Sequence, residues 1–262
     1  MSSAKSQSKS EWTLVGVDCA VDEQRLGLAR GRLDAEGKLR IERVTLGTAG
    51  ESAAANVSTW ISGSSQFVIA LDAPLGWPQP LAASLLSHQA GEKLDVVRDE
   101  LSRRQTDREL RKELGRWPPE VGSIARTGLA ALELLAEIRG LSDRPVPLAW
   151  KQGADSGAIE VYPAATLLAR GLSGAGYKAK TNTGRKARAD LLQRLAAELT
   201  LDVAEALLTE DPNQFDALLC VLAAADFARA MCLDPTDRAL AKREGFIWFR
   251  SSGQALLPYA DE

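Results

Sequence analysis

Hydrophobic positions along the chain follow two rhythms. Continuous or alternating apolar runs mark strands, and apolar residues at three- and four-residue spacing mark helices. The most continuous run is Gln66-Phe67-Val68-Ile69-Ala70-Leu71, which leads into Asp72-Ala73-Pro74-Leu75-Gly76-Trp77-Pro78. It predicts a buried central strand that stops before Pro74, because proline has no N–H to give a ladder. Residues 12–20 predict a first strand and residues 26–33 and 38–44 two shorter ones, with Asp34-Ala35-Glu36-Gly37 as a hairpin turn. Together these read as an antiparallel meander. An Ala-rich helix over residues 51–61 then leads into the central strand.

Beyond Pro78 the pattern is mostly helical. One helix is expected around residues 81–89. Thr106-Asp107-Arg108-Glu109 fits a capping box that opens a helix reaching residue 114, and residues 127–138 resume helical spacing. Residues 158–163 read as a short strand ended by Pro163, followed by a helix over 164–169, a loop over 171–176 and an amphipathic helix over 184–199. Asp211-Pro212 opens another helix, with Asp at N-cap and Pro at N1, running to about residue 231. Residues 246–249 suggest a last strand. The pattern predicts one domain over residues 11–262, with a helical insertion at about 81–147 and a disordered Ser/Lys-rich tail at 1–10.

Composition narrows the classes. Of 262 residues, 45% are hydrophobic and 26% charged, an ordinary globular balance. A formal net charge of −3 argues against a protein that coats DNA non-specifically, so nucleic-acid contact must come from a local patch. Three cysteines without C-x-x-C spacing and a single histidine, His88, disfavour a Cys/His zinc site and suggest a reducing compartment. The first ten residues lack the apolar core of a signal peptide, and no apolar stretch is long enough to span a membrane. A cytoplasmic protein is expected.

Four carboxylates stand in unusual settings. Asp18 and Asp72 end strands that otherwise lack charge, Glu160 lies inside a short apolar strand, and Asp216 sits in a helix apolar on nearly every face. A buried carboxylate without a partner costs several kcal/mol and needs a cation, hydrogen bonds or a proton. Convergence at one strand end creates repulsion that a divalent ion relieves, and oxygen donors without His or Cys favour Mg²⁺ or Mn²⁺. Two such ions about 3.5–4 Å apart activate a water and stabilise the leaving oxygen of a phosphodiester. Simpler roles are also open: Asp72 capping the Pro74–Pro78 turn, Asp211 capping its helix, and Glu160 pairing with a nearby arginine or lysine.

The ordered set Val-Gly-Val-Asp18, Leu-Asp72-Ala-Pro74-Leu-Gly, Arg104-x-x-Asp107-Arg108, Glu160-Val-Tyr-Pro163 and Phe-Asp216-Ala-Leu resembles the family catalogued as domain of unknown function 429. Glu244-Gly245-Phe246-Ile247 is similar to its closing motif, so the resemblance spans residues 14–249. It implies a ribonuclease H-like α/β fold, a mixed sheet with a three-strand antiparallel meander plus parallel strands, and a nuclease activity. It also implies that Asp18, Asp72 and Asp216 are the catalytic, metal-holding acids, with Glu160 a family-specific acid at the same site, and favours Arg104 and Asp107 as site residues. Junction-resolving relatives carry D-x-x-D-A on the last core helix. Here Asn213 occupies the first acidic position, and the nearest upstream acid is Asp211.

Lys178, Lys180, Arg185, Lys186 and Arg188 cluster before and within a helix start, where they either hold a substrate phosphate or form a solvated face. Trp77, Trp117 and Trp150 adjoin loops and either stack on a base or pack. The leading expectation is a metal-dependent phosphodiester hydrolase acting on nucleic acid or a nucleotide-like substrate. An actin-like phosphotransferase shares the strand order but needs a glycine-rich phosphate loop after the first strand, where this chain reads Cys-Ala-Val-Asp-Glu-Gln. A non-catalytic binding module is the third class.

Overall fold

Strands β1 (Trp12–Asp18), β2 (Gly27–Leu33) and β3 (Leu39–Leu46) form the expected meander, with Asp34 accepting the Lys38 N–H at 2.7 Å across the turn. The computed structural model describes residues 11–47 and 51–251, so the expected tail over residues 1–10 lies outside the described residues. Helix α1 (Ala53–Ile61) leads into β4 (Gln66–Leu71), which ends before Asp72 and Pro74 as the proline requires.

Helices α2 (Gln79–Leu85), α3 (Arg98–Ser102), α4 (Gln105–Leu114) and α5 (Ala125–Leu141) separate β4 from β5 (Gly157–Glu160). Next come α6 (Pro163–Leu168), α7 (Asn182–Leu195), β6 (Leu199–Leu201), α8 (Glu205–Glu210), α9 (Pro212–Ala228) and α10 (Arg238–Glu244). The result is a mixed α/β fold with one six-stranded sheet in the order β5-β4-β1-β2-β3-β6. β4 lies parallel to β1, and β5 parallel to β4. Among the described residues no helix is long and apolar enough to cross a membrane.

Each sheet face carries its own core. Val15, Val17, Phe67, Ile69 and Leu71 pack against α1 and α5, while Leu14, Ala29, Val68 and Ala70 pack against α9. Strand alternation therefore aims Asp18 and Asp72 toward the α9 side. Helix α9 is buried along almost its whole length because it lies across the centre of that face. Its approach is unusually close: a Cβ on Gly16 would stand 2.1 Å from the Ala217 carbonyl oxygen, and one on Gly27 2.1 Å from that of Asn213. Only glycine admits the helix there. Its next turn then carries Asp216 over the ends of β1 and β4.

Several expectations are corrected. The 184–199 helix stops at Leu195, and Leu199–Leu201 leaves it to pair in parallel with β3. Residues 246–249 make no full strand, because among them only Ile247 forms a bridge, to Glu160 at the last residue of β5. Helix α4 begins one residue before Thr106, and the acid reaching back is Asp107, whose Oδ2 accepts the Arg104 N–H at 2.8 Å. Thr106 accepts from the Ile247 N–H instead, and Glu109 from the Gln105 side chain and Thr236.

Candidate functional site

At the carboxyl end of β1 and β4, Asp18, Asp72 and Asp216 each offer one carboxylate oxygen, and these oxygens lie within 4.8 Å of one another. Carboxyl ends of parallel strands are where open α/β sheets place ligands. Asp216 is buried, and its oxygens are occupied: Tyr177 Oη donates to Oδ1 at 2.6 Å and Lys178 Nζ pairs with Oδ2 at 2.7 Å. The half-buried Asp18 and Asp72 carboxylates accept no hydrogen bond from the described residues. The capping role open to Asp72 is taken by Glu160, whose Oε2 accepts the Leu75 N–H at 2.9 Å.

Three acids so close resist ionisation together. Burial, reinforced by the charges of Asp72 and Asp216 and opposed by Lys178, pushes Asp18 up to about 9. Burial also pushes Asp72 up to about 7, with Lys178 opposing and Asp216 and Glu160 reinforcing. Asp216 is raised by burial and held back by Lys178 and the Tyr177 hydrogen bond. Burial works against the Lys178 charge, but Asp216 and Asp72 outweigh it and hold the ammonium protonated. Cys19, beside this cluster, is raised well above its ordinary value by burial and by Asp72 and Asp18, and so stays a thiol.

Glu160 does not join the three aspartates. Its register partner is Leu71, so it leaves β5 on the face opposite Asp72. There Arg104 Nη2 and Nη1 grip its two oxygens at 2.6 and 2.9 Å. Asp107 adds a contact of 3.2 Å to the same guanidinium, which also donates to the Glu244 carbonyl. Burial raises the Glu160 carboxyl while Arg104 lowers it. Arg104, Asp107 and Glu160 thus form a buried clamp that fixes β5, α4 and the Leu75 turn beside the aspartates. The Glu244 carboxylate, whose pairing no local pattern announced, accepts the N–H groups of Gln79 and Gln105 at 2.7 and 2.8 Å and seats the starts of α2 and α4.

Of the basic cluster only Lys178 reaches the carboxylates. Lys180 is exposed, and Arg185 pairs with Glu210 at 3.1 Å on the surface. Arg188 is buried and donates to the carbonyls of Tyr177, Ala179, Thr209 and Glu210, which pins the loop that carries Tyr177 and Lys178. Asp211 caps α9 through the N–H groups of Asn213 and Gln214, as expected. Asn213 donates its side-chain amide to the Arg25 carbonyl at 2.7 Å, a tie that a carboxylate in that place cannot make.

A cavity of about 200 Å³ opens beside Asp72 and Lys178 and is walled by Pro74, Pro118, Ile124, Tyr162, Arg104 and Glu160 among others. Of the loop tryptophans, Trp150 tilts against Trp248 in the core, whereas Trp117 is 40% exposed with the Arg103 guanidinium 4.8 Å above its ring.

Comparison with curated proteins finds no significant match, and neither does comparison with solved structures. A family model described as "Protein of unknown function (DUF429)" matches residues 16–239, a span that contains Asp18, Asp72, Arg104, Glu160, Lys178 and Asp216. The chain belongs to the DUF429 family.

Proposed function

We propose that the chain is a divalent-metal-dependent phosphodiester hydrolase, a nuclease acting on nucleic acid or a nucleotide-like substrate. The observation that carries this is the convergence of Asp18, Asp72 and Asp216 beside an open cavity. Their donor chemistry fits a hard cation: every donor is a carboxylate oxygen, and two of the carboxylates lack any hydrogen-bond donor among the described residues. The three aspartates are the residues that would hold Mg²⁺ or Mn²⁺. Such an ion supplies charge stabilisation for the phosphoryl transition state and makes a water acidic enough to attack.

The chain's own groups supply the rest. Tyr177 fixes the Asp216 rotamer through its 2.6 Å hydrogen bond, and Arg188 fixes the loop behind it. Lys178, with its side chain 56% exposed, places an ammonium at the cavity edge where it can pair with a phosphate oxygen. The Arg104–Glu160–Asp107 clamp holds the strand end that presents Asp72. The order β3-β2-β1-β4-β5, antiparallel and then parallel, supports a ribonuclease H-like assignment.

The test is a melting scan in Mg²⁺, Mn²⁺ and EDTA, together with cleavage of single-stranded, duplex and branched DNA and RNA against Asp72→Asn. Metal is expected to stabilise the wild type, and at least one substrate to be cut faster by it than by the variant. A wild type no faster than the variant on every substrate would sink the proposal.

A further inference from the structure

We infer that the cavity beside the aspartates is a nucleobase subsite, and that the substrate is a single strand presenting one splayed nucleotide; this rests on the hydrolase proposal above. Size argues first. Pockets for drug-sized ligands run to about 300–1,000 Å³, whereas an apolar cavity of about 150 Å³ already takes benzene. A volume of about 200 Å³ therefore suits one ring system and excludes a base pair.

Lining argues second. Pro74, Pro118, Ile124 and Ile247 make apolar walls, which favour a flat ring over a charged sugar-phosphate chain. Thr127 and Tyr162 add polar edges to those walls. Arg104 also lines the cavity, with its guanidinium held in place by Glu160 and Asp107.

Direction argues third. Asp72, assigned to the metal, and Lys178, assigned to the phosphate, line the same cavity as the apolar walls, so one seated ligand can present both a ring and a charged ester. A base inside a duplex cannot enter without leaving its stack, whereas a single strand splays a base at little cost. Trp117, exposed next to Pro118 and backed by Arg103, offers a stacking face for the neighbouring base.

Calorimetric titration of the full chain in Mg²⁺ with adenosine and thymidine 5′-monophosphates, ribose 5-phosphate and inorganic phosphate tests this. The nucleotides are expected to bind about tenfold more tightly than ribose 5-phosphate, in keeping with the worth of one stacked base. Thr127→Trp, which fills the cavity, should bring nucleotide binding down to the ribose 5-phosphate level. If that variant loses its cooperative melt, Tyr162→Ala replaces it, with an expected loss of about threefold or more for the nucleotides alone. Equal binding of nucleotides and ribose 5-phosphate overturns the inference, and so does indifference of nucleotide binding to a folded cavity variant. Cleavage supplies a second arm: a labelled single strand should be cut about tenfold faster than the same strand in a perfect duplex, and equal rates also overturn the inference. Because the titration reads the cavity whether or not any strand is cut, retained nucleotide preference without cleavage counts against the hydrolase proposal alone.

Discussion

Replacing Asp72 by asparagine should have opposite effects on stability with and without metal. In the unfolded chain an aspartate titrates near 4, whereas burial pushes Asp72 up to about 7 in the fold. Three units at about 1.4 kcal/mol each come to about 4 kcal/mol against the ionised native state above pH 7. Asp72 is half-buried at a cavity mouth, so solvent screens part of this and leaves about 2 kcal/mol. Asparagine has the same shape without the charge. In EDTA at pH 8 the variant should therefore melt above wild type, by about 4–8 °C for a chain of this size. At pH 5 the native carboxyl is protonated while the unfolded one is still largely ionised, so the gain should fall to about a third of its value at pH 8. At a hundredfold excess of Mg²⁺ over its Kd, wild type gains about 2.7 kcal/mol that the variant forgoes, which closes or inverts the gap. Differential scanning fluorimetry over pH and metal reads all of this in one plate. An asparagine variant less stable than wild type in EDTA at pH 8 would refute the reasoning, since it would mean that the carboxylate is a stabilising acceptor.

Other consequences follow from the same geometry. Metal affinity should rise with pH between about 6 and about 10 and level off above, because binding expels the protons that Asp72 and Asp18 hold up to about 7 and about 9. Over that range the metal-free fold binds more protons than the unfolded chain, so its stability should fall as pH rises; titration and melts across pH check both signs. Gly16→Ala should destabilise by about 3 kcal/mol or more in denaturant melts and weaken the metal-induced shift, because its Cβ meets the Ala217 carbonyl and displaces the helix that carries Asp216. Arg104→Met should cost about 3–5 kcal/mol by leaving Glu160 and Asp107 buried without a cation, with Glu160→Gln in the same chain recovering part of it. Glu160→Gln alone should leave Mg²⁺ affinity within about threefold of wild type by calorimetry, whereas Asp216→Asn should lower it by about tenfold or more.

Local pattern sufficed wherever a residue's role depends on its own neighbours. The continuous run over Phe67–Leu71 read as a central strand ended by Pro74, and Asp211-Pro212 as a helix start, and the structure has both. That Asp18 and Asp72 share a sheet face was decided by the parallel register of β1 and β4, in which Val17 pairs with Leu71. What local pattern misjudged were short elements whose hydrogen bonds come from far along the chain: Leu199–Leu201 is a strand only because β3 lies beside it.

The site divides the same way. Asp18, Asp72 and Asp216 were legible as charged residues inside apolar runs, which only a ligand or a partner can justify. Glu160 carried the same signal, yet its partner is Arg104, 56 residues away in sequence, and nothing local distinguishes a clamp from a ligand. Lys178 stood as one lysine among several until Arg188 and the packing of α7 brought it alone to Asp216. The sequence determined which groups cannot be buried without company. The tertiary structure decided which company each one keeps, because charge pairing depends on separation in space and leaves no periodic trace along the chain.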